Sequence, residues 1–196
     1  MSSKLVVGVL ALQGDFERHL FRLNALGVGG REIRSCEDIE GLDGLIIPGG
    51  ESTTMSLLID RFEMRGCLSQ FCRQKGVWGT CAGMIMLARE IDDERVKPFG
   101  VIDIFVSRNS YGRQVHSFFA DIEANLNGQI KRLKASFIRA PLILNYGSNV
   151  IVLAEYNHSP VLLYQNNCLA SSFHTELDDD LTLTKYFLEN FVLVYK

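Results

Sequence analysis

The most informative stretch of the sequence is Val77-Trp-Gly-Thr-Cys-Ala-Gly83, which joins a strand pattern to a helix pattern. It begins as a short apolar strand, and a helical pattern follows from Ala82 to Arg89. A cysteine between small residues at such a junction occupies a sharp elbow, where glycines let the backbone approach a substrate closely. The start of a helix also favours the reactive thiolate. Cys81 is therefore a candidate nucleophile, although a buried cysteine at a tight glycine turn fits the five residues Gly79–Gly83 equally well.

The same alternation of strand and helix continues around this stretch. Apolar runs predict buried strands at 5–12 and 45–47. The first strand is followed by a helix that begins near Phe16 and is ended by Gly27–Gly30, and the second by a helical stretch at 52–75. In the first of these helices, Phe16, Leu20 and Leu23 define one buried stripe. This alternation predicts an α/β fold with a parallel sheet.

The second half of the chain reads mainly as strands. These are predicted at 100–106, 117–124, 129–137, 149–156 and 161–165, before a last helix at 179–192. Asn127-Gly128 is a strong hairpin signal. We therefore expect an antiparallel extension of the parallel sheet, within a single domain that spans residues 1–196.

Composition narrows the class of protein. The 196 residues carry 20 Lys+Arg against 23 Asp+Glu, so a nucleic-acid partner, which would favour a basic excess, is not expected. No segment has the pattern of a membrane span or a signal peptide, so we expect a cytoplasmic protein without a membrane partner. Five cysteines, an odd number without framework spacing, argue against a disulfide scaffold and suit a reducing compartment.

A cysteine nucleophile needs a base, and His174 is the best candidate among the four histidines. It ends the apolar run Leu169–Phe173, and Glu176 follows two residues later, on the same side of an extended segment. Glu176 could thus orient the imidazole, as the acid does in a Ser-His-Asp triad. The alternative interpretation is that His174 is a solvent-exposed residue at the end of a strand. The other histidines, His19, His116 and His158, are expected to be exposed or in loops, with no catalytic role.

A third candidate site is Pro48-Gly-Gly-Glu-Ser52, which also ends a strand and opens a helix. Adjacent glycines can present backbone N–H groups to an oxyanion or a carboxylate, although a plain helix cap is the alternative. The remaining cysteines, Cys36, Cys67, Cys72 and Cys168, lack the spacing of metal ligands, and we predict no metal site. Because parallel strands deliver their carboxyl ends to one edge, Gly50, Cys81 and His174 should meet there and perform acyl transfer.

With these motifs in place, the sequence resembles the class I, triad-type glutamine amidotransferases. Within them it is similar to the glutaminase subunits of pyridoxal 5′-phosphate synthase. The matching segments span nearly the whole chain: Leu10–Asp15, Pro48–Thr53, Gly79–Met84, Arg108–Gln114 and Phe137–Pro141. The last two are the most specific to this vitamin B6 subgroup.

The resemblance implies a flavodoxin-like three-layer α/β sandwich and a Cys81–His174–Glu176 triad. It implies that glutamine is bound by Gly49, Gly50, Glu51, Arg108, Ile138 and Arg139. The backbone N–H groups of Gly50 and Ala82 are expected to form the oxyanion hole. The substrate would be L-glutamine and the partner a separate ammonia-accepting synthase subunit in a hetero-oligomer, with no cofactor on this chain.

One departure from the family pattern concerns the distal motif, where His174-Thr175-Glu176 stands in place of the usual His-Pro-Glu. Threonine can adopt the φ of proline but is less rigid, and we expect activity to survive. Three alternatives stay open: a glutaminase that serves another acceptor, a cysteine peptidase or stress protein on the same sheet, and a silent regulatory module. The vitamin B6 segments argue against the first and the intact triad argues against the last.

Overall fold

The computed structural model describes residues 5–108 and 117–195. Within them, a nine-stranded sheet forms the centre of the molecule and a three-stranded sheet lies beside it. The strands are β1 (Val6–Leu10), β2 (Gly29–Ile33), β3 (Gly44–Ile47), β4 (Gly76–Thr80), β5 (Ala88–Ile91), β6 (Ile102–Ser107), β7 (Phe118–Leu126), β8 (Gln129–Phe137), β9 (Leu142–Tyr146), β10 (Ile151–Tyr156), β11 (Ser159–Gln165) and β12 (Cys168–Ser171).

The large sheet has a parallel half and an antiparallel half. Its order is β2-β1-β3-β4-β12-β11-β10-β7-β8, and the strands from β2 to β12 are parallel. Every residue of β3, β4 and β12 is buried, because helices cover both faces of this half. The strands from β12 to β8 pair antiparallel, joined in part by tight turns at Asn127-Gly128 and Asn157-His158, whose φ angles are all positive. The predicted α/β architecture with an antiparallel extension is confirmed.

Helices enclose the sheet on two sides. They are α1 (Phe16–Ala25), α2 (Ser52–Arg61), α3 (Arg65–Gln74), α4 (Ala82–Leu87) and α5 (Thr182–Phe187), which continues into a π-helix at Leu188–Val192. One apolar layer packs α2, α3 and α4 against the sheet, and the other packs α1 and α5. Neighbouring residues of β4 divide between the two layers, since Val77 points into the first and Trp78 into the second. This is the expected three-layer sandwich.

Some element boundaries differ from those predicted. The helix expected at 82–89 ends at Leu87, and the next residues form β5, which pairs with β6 in the small sheet. The third strand of that sheet, β9, was not predicted. The last helix begins at Thr182 rather than at residue 179, because Asp178 and Asp180 each accept a hydrogen bond from the backbone N–H two residues ahead.

The cysteines also depart from expectation at one point. Cys36 and Cys67 form a disulfide, a single bond that the count and spacing of the cysteines did not predict. Their Cα atoms lie 6.0 Å apart although 31 positions separate them in sequence. The loop after β2 packs beside the junction of α2 and α3, a long-range contact that residue spacing does not reveal. No helix within residues 5–108 and 117–195 is long and apolar enough to cross a membrane.

Candidate active site

The nucleophile candidate lies on a strained turn between β4 and α4. Cys81 has φ 50° and ψ −105°, a conformation that non-glycine residues rarely adopt. Its backbone N–H donates to the Ser171 carbonyl at 2.8 Å, which ties the turn to the neighbouring strand. The glycines of the motif allow close packing: a Cβ on Gly79 would lie 2.5 Å from the Gly83 backbone, and one on Gly83 would lie 1.9 Å from the Ile47 carbonyl oxygen. The sequence therefore holds Cys81 in the predicted elbow.

His174 reaches the same edge of the sheet just after β12. Its backbone pairs with Ser136 of β8, accepting at 3.2 Å and donating at 2.9 Å, so the antiparallel half fixes its position. Gly49, after β3, touches the imidazole, because a Cβ there would lie 2.2 Å from His174 Cε1. Three strand ends thus converge on one point, as the parallel topology predicts.

The predicted acid pairs with the predicted base. Nδ1 of His174 lies 2.6 Å from Oε1 of Glu176, and both side chains are nearly inaccessible to solvent. The pairing forms with Thr175 in the position where the resembled family usually has proline. The solvated strand end that we considered for His174 is therefore not what the structure shows.

Electrostatics favour the charged forms of this pair. Burial lowers the pKa of His174, but hydrogen bonds to Cys81 and Glu176 outweigh it and raise that pKa to about 10. Burial raises the pKa of Glu176, but the neighbouring histidines, His19 and His174, outweigh it and lower that pKa to about 2. The site therefore favours an imidazolium that lies between the Glu176 carboxylate and the Cys81 side chain.

Gly50 and Glu51 open the α2 helix opposite Cys81. Gly50 is exposed and has φ 148°, and the Gln13 side chain covers it so closely that a Cβ would lie 2.4 Å away. The Glu51 carboxylate caps α2, accepting from the N–H groups of Thr53 and Thr54. Burial opposes the charged form of Glu51, yet hydrogen bonds from the Thr53 hydroxyl and from the N–H groups of Thr53 and Thr54 lower its pKa to about 2. Glu51 thus has a capping role, the alternative considered from the sequence, and remains anionic for any cationic ligand.

Arg108 lies beside Glu51, but its guanidinium is already paired with carboxylates of the protein. Its guanidinium contacts Glu51 Oε1 at 2.5 Å and Asp93 Oδ2 at 2.7 Å. A substrate carboxylate would therefore have to compete with two protein carboxylates for it. The rest of the segment, Asn109–Gln114, and also His116, lie outside the described residues.

Ile138 and Arg139 follow β8 at the mouth of the site. The Ile138 carbonyl oxygen lies 4.0 Å from the Cys81 sulfur. Arg139 has φ 46° and is exposed, a strained position of the kind that occurs at binding sites. Ala82, the first residue of α4, is buried directly behind the nucleophile. The contacts of Ile138 with Cys81, of Gly49 with His174 and of Arg108 with Glu51 thus bring the predicted site residues into one region.

One residue near this cleft was misjudged from sequence. His19 was expected to be exposed, but it is 1% exposed and its Nε2 lies 3.6 Å from Oε2 of Glu176. The signal was present: His19 lies three residues after Phe16 and four before Leu23, on the same stripe of α1. His158, by contrast, is exposed in a hairpin turn, as expected.

The remaining free cysteines are poor nucleophiles. Burial raises the pKa of Cys72 well above its ordinary value and that of Cys168 to about 12. Neither lies at the edge where the strand ends converge. Together with the Cys36–Cys67 disulfide, this leaves Cys81 as the one candidate nucleophile among the five cysteines.

The parallel sheet, the cysteine elbow and the distal His-x-Glu are the features of a class I glutamine amidotransferase. The chain belongs to the SNO glutamine amidotransferase family, whose model matches residues 9–193. A pyridoxal 5′-phosphate synthase subunit PdxT from Thermosipho africanus is 48% identical over 93% of this chain and 96% of its own.

Solved structures agree with this assignment. A crystal structure of a glutamine amidotransferase superposes with a TM-score of 0.86 at 44% identity, covering 93% of this chain and 97% of that one. A chain in the structure of PurLQS from Thermotoga maritima shares the fold alone, with a TM-score of 0.71 at 13% identity over 98% of this chain and 100% of the other.

Proposed function

We propose that this chain is the glutaminase subunit of a pyridoxal 5′-phosphate synthase, and that all of it serves as one glutaminase domain. It hydrolyses L-glutamine to L-glutamate and ammonia, and the ammonia passes to a separate synthase subunit. The single observation that carries the proposal is the Cys81 elbow beside a His174–Glu176 pair at 2.6 Å. Relatives named as subunits of this synthase, 44–48% identical over most of the chain, support the choice of acceptor.

The first half of the reaction forms a thioester. His174 accepts the thiol proton, and the Cys81 sulfur attacks the side-chain amide carbon of glutamine. The N–H groups of Gly50 and Ala82 stabilise the oxyanion of the tetrahedral intermediate. Its collapse breaks the carbon–nitrogen bond, and His174 returns the proton to the nitrogen, which leaves as ammonia.

The second half releases glutamate. His174 takes a proton from water, and the resulting hydroxide attacks the γ-glutamyl thioester. The carbon–sulfur bond breaks, and the regenerated thiolate pairs with the imidazolium. Glu176 keeps the imidazole in the correct tautomer and stabilises its charged form throughout.

Substrate recognition uses the rim of the cleft. The Gly49–Glu51 turn and the Ile138–Arg139 segment flank the nucleophile, and the anionic Glu51 suits an α-ammonium group. Arginine suits the α-carboxylate, since its planar fork can bond both oxygens. Arg139, which is exposed, is free to do so, whereas Arg108 would first exchange a partner.

The test compares two nitrogen sources. The ammonia-accepting synthase subunit is supplied with its sugar phosphates and with either glutamine or an ammonium salt, with and without this chain. We expect pyridoxal 5′-phosphate from glutamine only when this chain is present, and from ammonium in both cases. Glutamate release without any pyridoxal 5′-phosphate formation would contradict the assigned acceptor and favour a glutaminase for another synthase.

A further inference from the structure

A buried histidine that the mechanism above does not use lies behind the triad. His19 of α1 contacts the second oxygen of Glu176: its Nε2 is 3.6 Å from Oε2, and the two side chains are 1% and 0% exposed. Oε1 of the same carboxylate is already taken by His174 at 2.6 Å. Among the described residues, neither His19 Nε2 nor Glu176 Oε2 has a hydrogen-bond partner. Two buried polar atoms without other partners thus face each other directly.

Helix α1 is held rigidly against the segment that carries Glu176. Arg22, one turn after His19, donates to the carbonyl oxygen of Asp178 at 2.5 Å, to that of Asp180, and to Thr184 Oγ1 at 3.3 Å. The His19 ring also meets Trp78 of β4 edge to face, with centroids 5.7 Å apart. The helix, the segment that carries Glu176 and the central strand therefore hold the imidazole with its Nε2 facing Oε2 of Glu176.

We propose that His19 is a positioning residue: it holds the free oxygen of Glu176, so that the other oxygen stays aligned with His174. Because an unpaired carboxylate oxygen is costly to bury, loss of this contact lets Glu176 rotate or bind a proton. Either change weakens support for the imidazolium. The inference rests on the proposed glutaminase mechanism and extends it to a fourth residue.

Burial and the neighbouring charges together favour the neutral form of the His19 imidazole, which can donate a hydrogen bond. Burial lowers the pKa of His19, and Arg22 and His174 act in the same direction, whereas Glu176 and Asp15 oppose them. A neutral imidazole protonated on Nε2 can donate toward Oε2 with a movement of a few tenths of an ångström. At neutral pH no additional buried charge is then required, and His19 acts on the pKa of Glu176 as a positive charge only at acidic pH, where it is protonated.

The test uses three variants in the complex with the synthase subunit. His19→Met fills the space without a donor, whereas His19→Gln retains an N–H close to the original Nε2. Leu23→Val is the matched control, since it alters a buried residue of the same helix on its core-facing stripe, away from the triad. Two measurements are made: the pH dependence of Cys81 alkylation by iodoacetamide, which needs no glutamine, and the kcat and KM of glutamate release.

We expect His19→Met to move the alkylation midpoint upward by about one pH unit and to lower kcat about tenfold, with KM nearly unchanged. His19→Gln should stay within about threefold of wild type, and Leu23→Val should keep the wild-type midpoint. If His19→Met does not fold, His19→Asn, whose shorter amide cannot reach Glu176, repeats the test. An unmoved midpoint in the variants that lack the donor would overturn the positioning role.

The two readouts separate this inference from the function on which it rests. A shifted midpoint together with no glutamate release by the wild-type complex would contradict the glutaminase proposal and leave the His19–Glu176 linkage standing. Normal wild-type glutamate release with no shift in His19→Met would contradict the linkage alone.

Discussion

Among the single residues of the site, the buried carboxylate of Glu176 has a large influence on charge. Its two oxygens face two histidines, and its pKa is lowered to about 2 although burial alone would raise it. It therefore stays ionised wherever the enzyme is folded and active. That charge, with Cys81, raises the pKa of His174 to about 10, so the imidazolium persists well above the range of an ordinary histidine.

This charge balance predicts a pH profile. Because the folded pKa of His174 is raised, its acid form is present at pH 7 and is lost only as the pH rises through about 10. Glu176→Gln removes one cause of the increase, so the alkaline fall in kcat/KM should move to lower pH. The rate at pH 7 should fall by about 10²–10⁴, since the tautomer is no longer fixed. A Glu176→Gln profile that superposes on wild type would contradict this assignment of the carboxylate.

The sequence predicts the candidate site residues that lie in motifs, but it does not predict the contact that His19 makes behind them. Cys81, His174 and Glu176 were identified because the chemistry demands those residue types near strand ends. The prediction that His19 is exposed is wrong, because its spacing from Phe16 and Leu23 places it on the buried face of α1. The pairing of Arg108 with Asp93 and Glu51 depends on loop packing that no local pattern encodes.

At the scale of elements, the site depends on how closely α4 packs against the sheet. Gly83 has no side chain to separate the helix from β3, and a Cβ there would meet the Ile47 carbonyl oxygen at 1.9 Å. Gly66, in the exposed first turn of α3, has nothing within 4 Å of the same position. The two glycines form a matched pair for testing this packing.

Gly83→Ala should lower the free energy of unfolding by about 1–3 kcal/mol, because α4 must move away from β3. It should also impair glutamate release, since Cys81 begins that helix. Gly66→Ala should be neutral or stabilising by up to about 1 kcal/mol, as alanine favours a helix. Chemical denaturation of both variants measures the difference. Equal stabilities would show that the close approach of α4 is not required.

Elements with strong local signals were predicted well from the sequence. The β8 strand, Gln129–Phe137, has the predicted bounds, because an Asn-Gly turn sets its start. The start of α5 was predicted too early, because the hydrogen bonds of Asp178 and Asp180 delay it. The small sheet of β5, β6 and β9 was missed because its strands are separated in sequence and pair only through the tertiary fold.

At the scale of the whole molecule, the antiparallel half supports the chemistry of the parallel half. Ser136 at the end of β8 pairs with the backbone of His174, and the next residue, Phe137, is 1% exposed. Its ring packs against those of Phe118, Tyr156 and Phe173, with centroids 4.8–5.7 Å apart. This aromatic cluster links the far strands to the segment that carries the base.

Phe137→Ala should therefore lower the free energy of unfolding by about 3–5 kcal/mol through the cavity it leaves. It should also reduce kcat, since the strand end that holds His174 loses its anchor. Phe119→Ala is the control: this ring lies on the same hairpin but is 83% exposed, and its loss should change stability by less than about 0.5 kcal/mol. A similar loss of stability in both variants, measured by denaturant unfolding, would argue against the role of the cluster.

Global architecture was predictable because strand and helix alternate regularly and because parallel strands deliver their ends to one edge. Long-range pairings were not. The Cys36–Cys67 disulfide joins residues on separate elements, and neither the number nor the spacing of the cysteines indicates it. The same holds for the Ser136–His174 pairing, which connects the two halves of the sheet.

The proposed reaction depends on Cys81 as its nucleophile. The most direct measurement is steady-state glutamate release by the complex with the synthase subunit, for wild type, Cys81→Ala and Cys168→Ala. We predict that Cys81→Ala lowers the rate by more than about 10³-fold, whereas Cys168→Ala, which changes a buried thiol away from the site, retains most of the activity. Comparable glutamate release by wild type and Cys81→Ala would show that Cys81 is not the nucleophile.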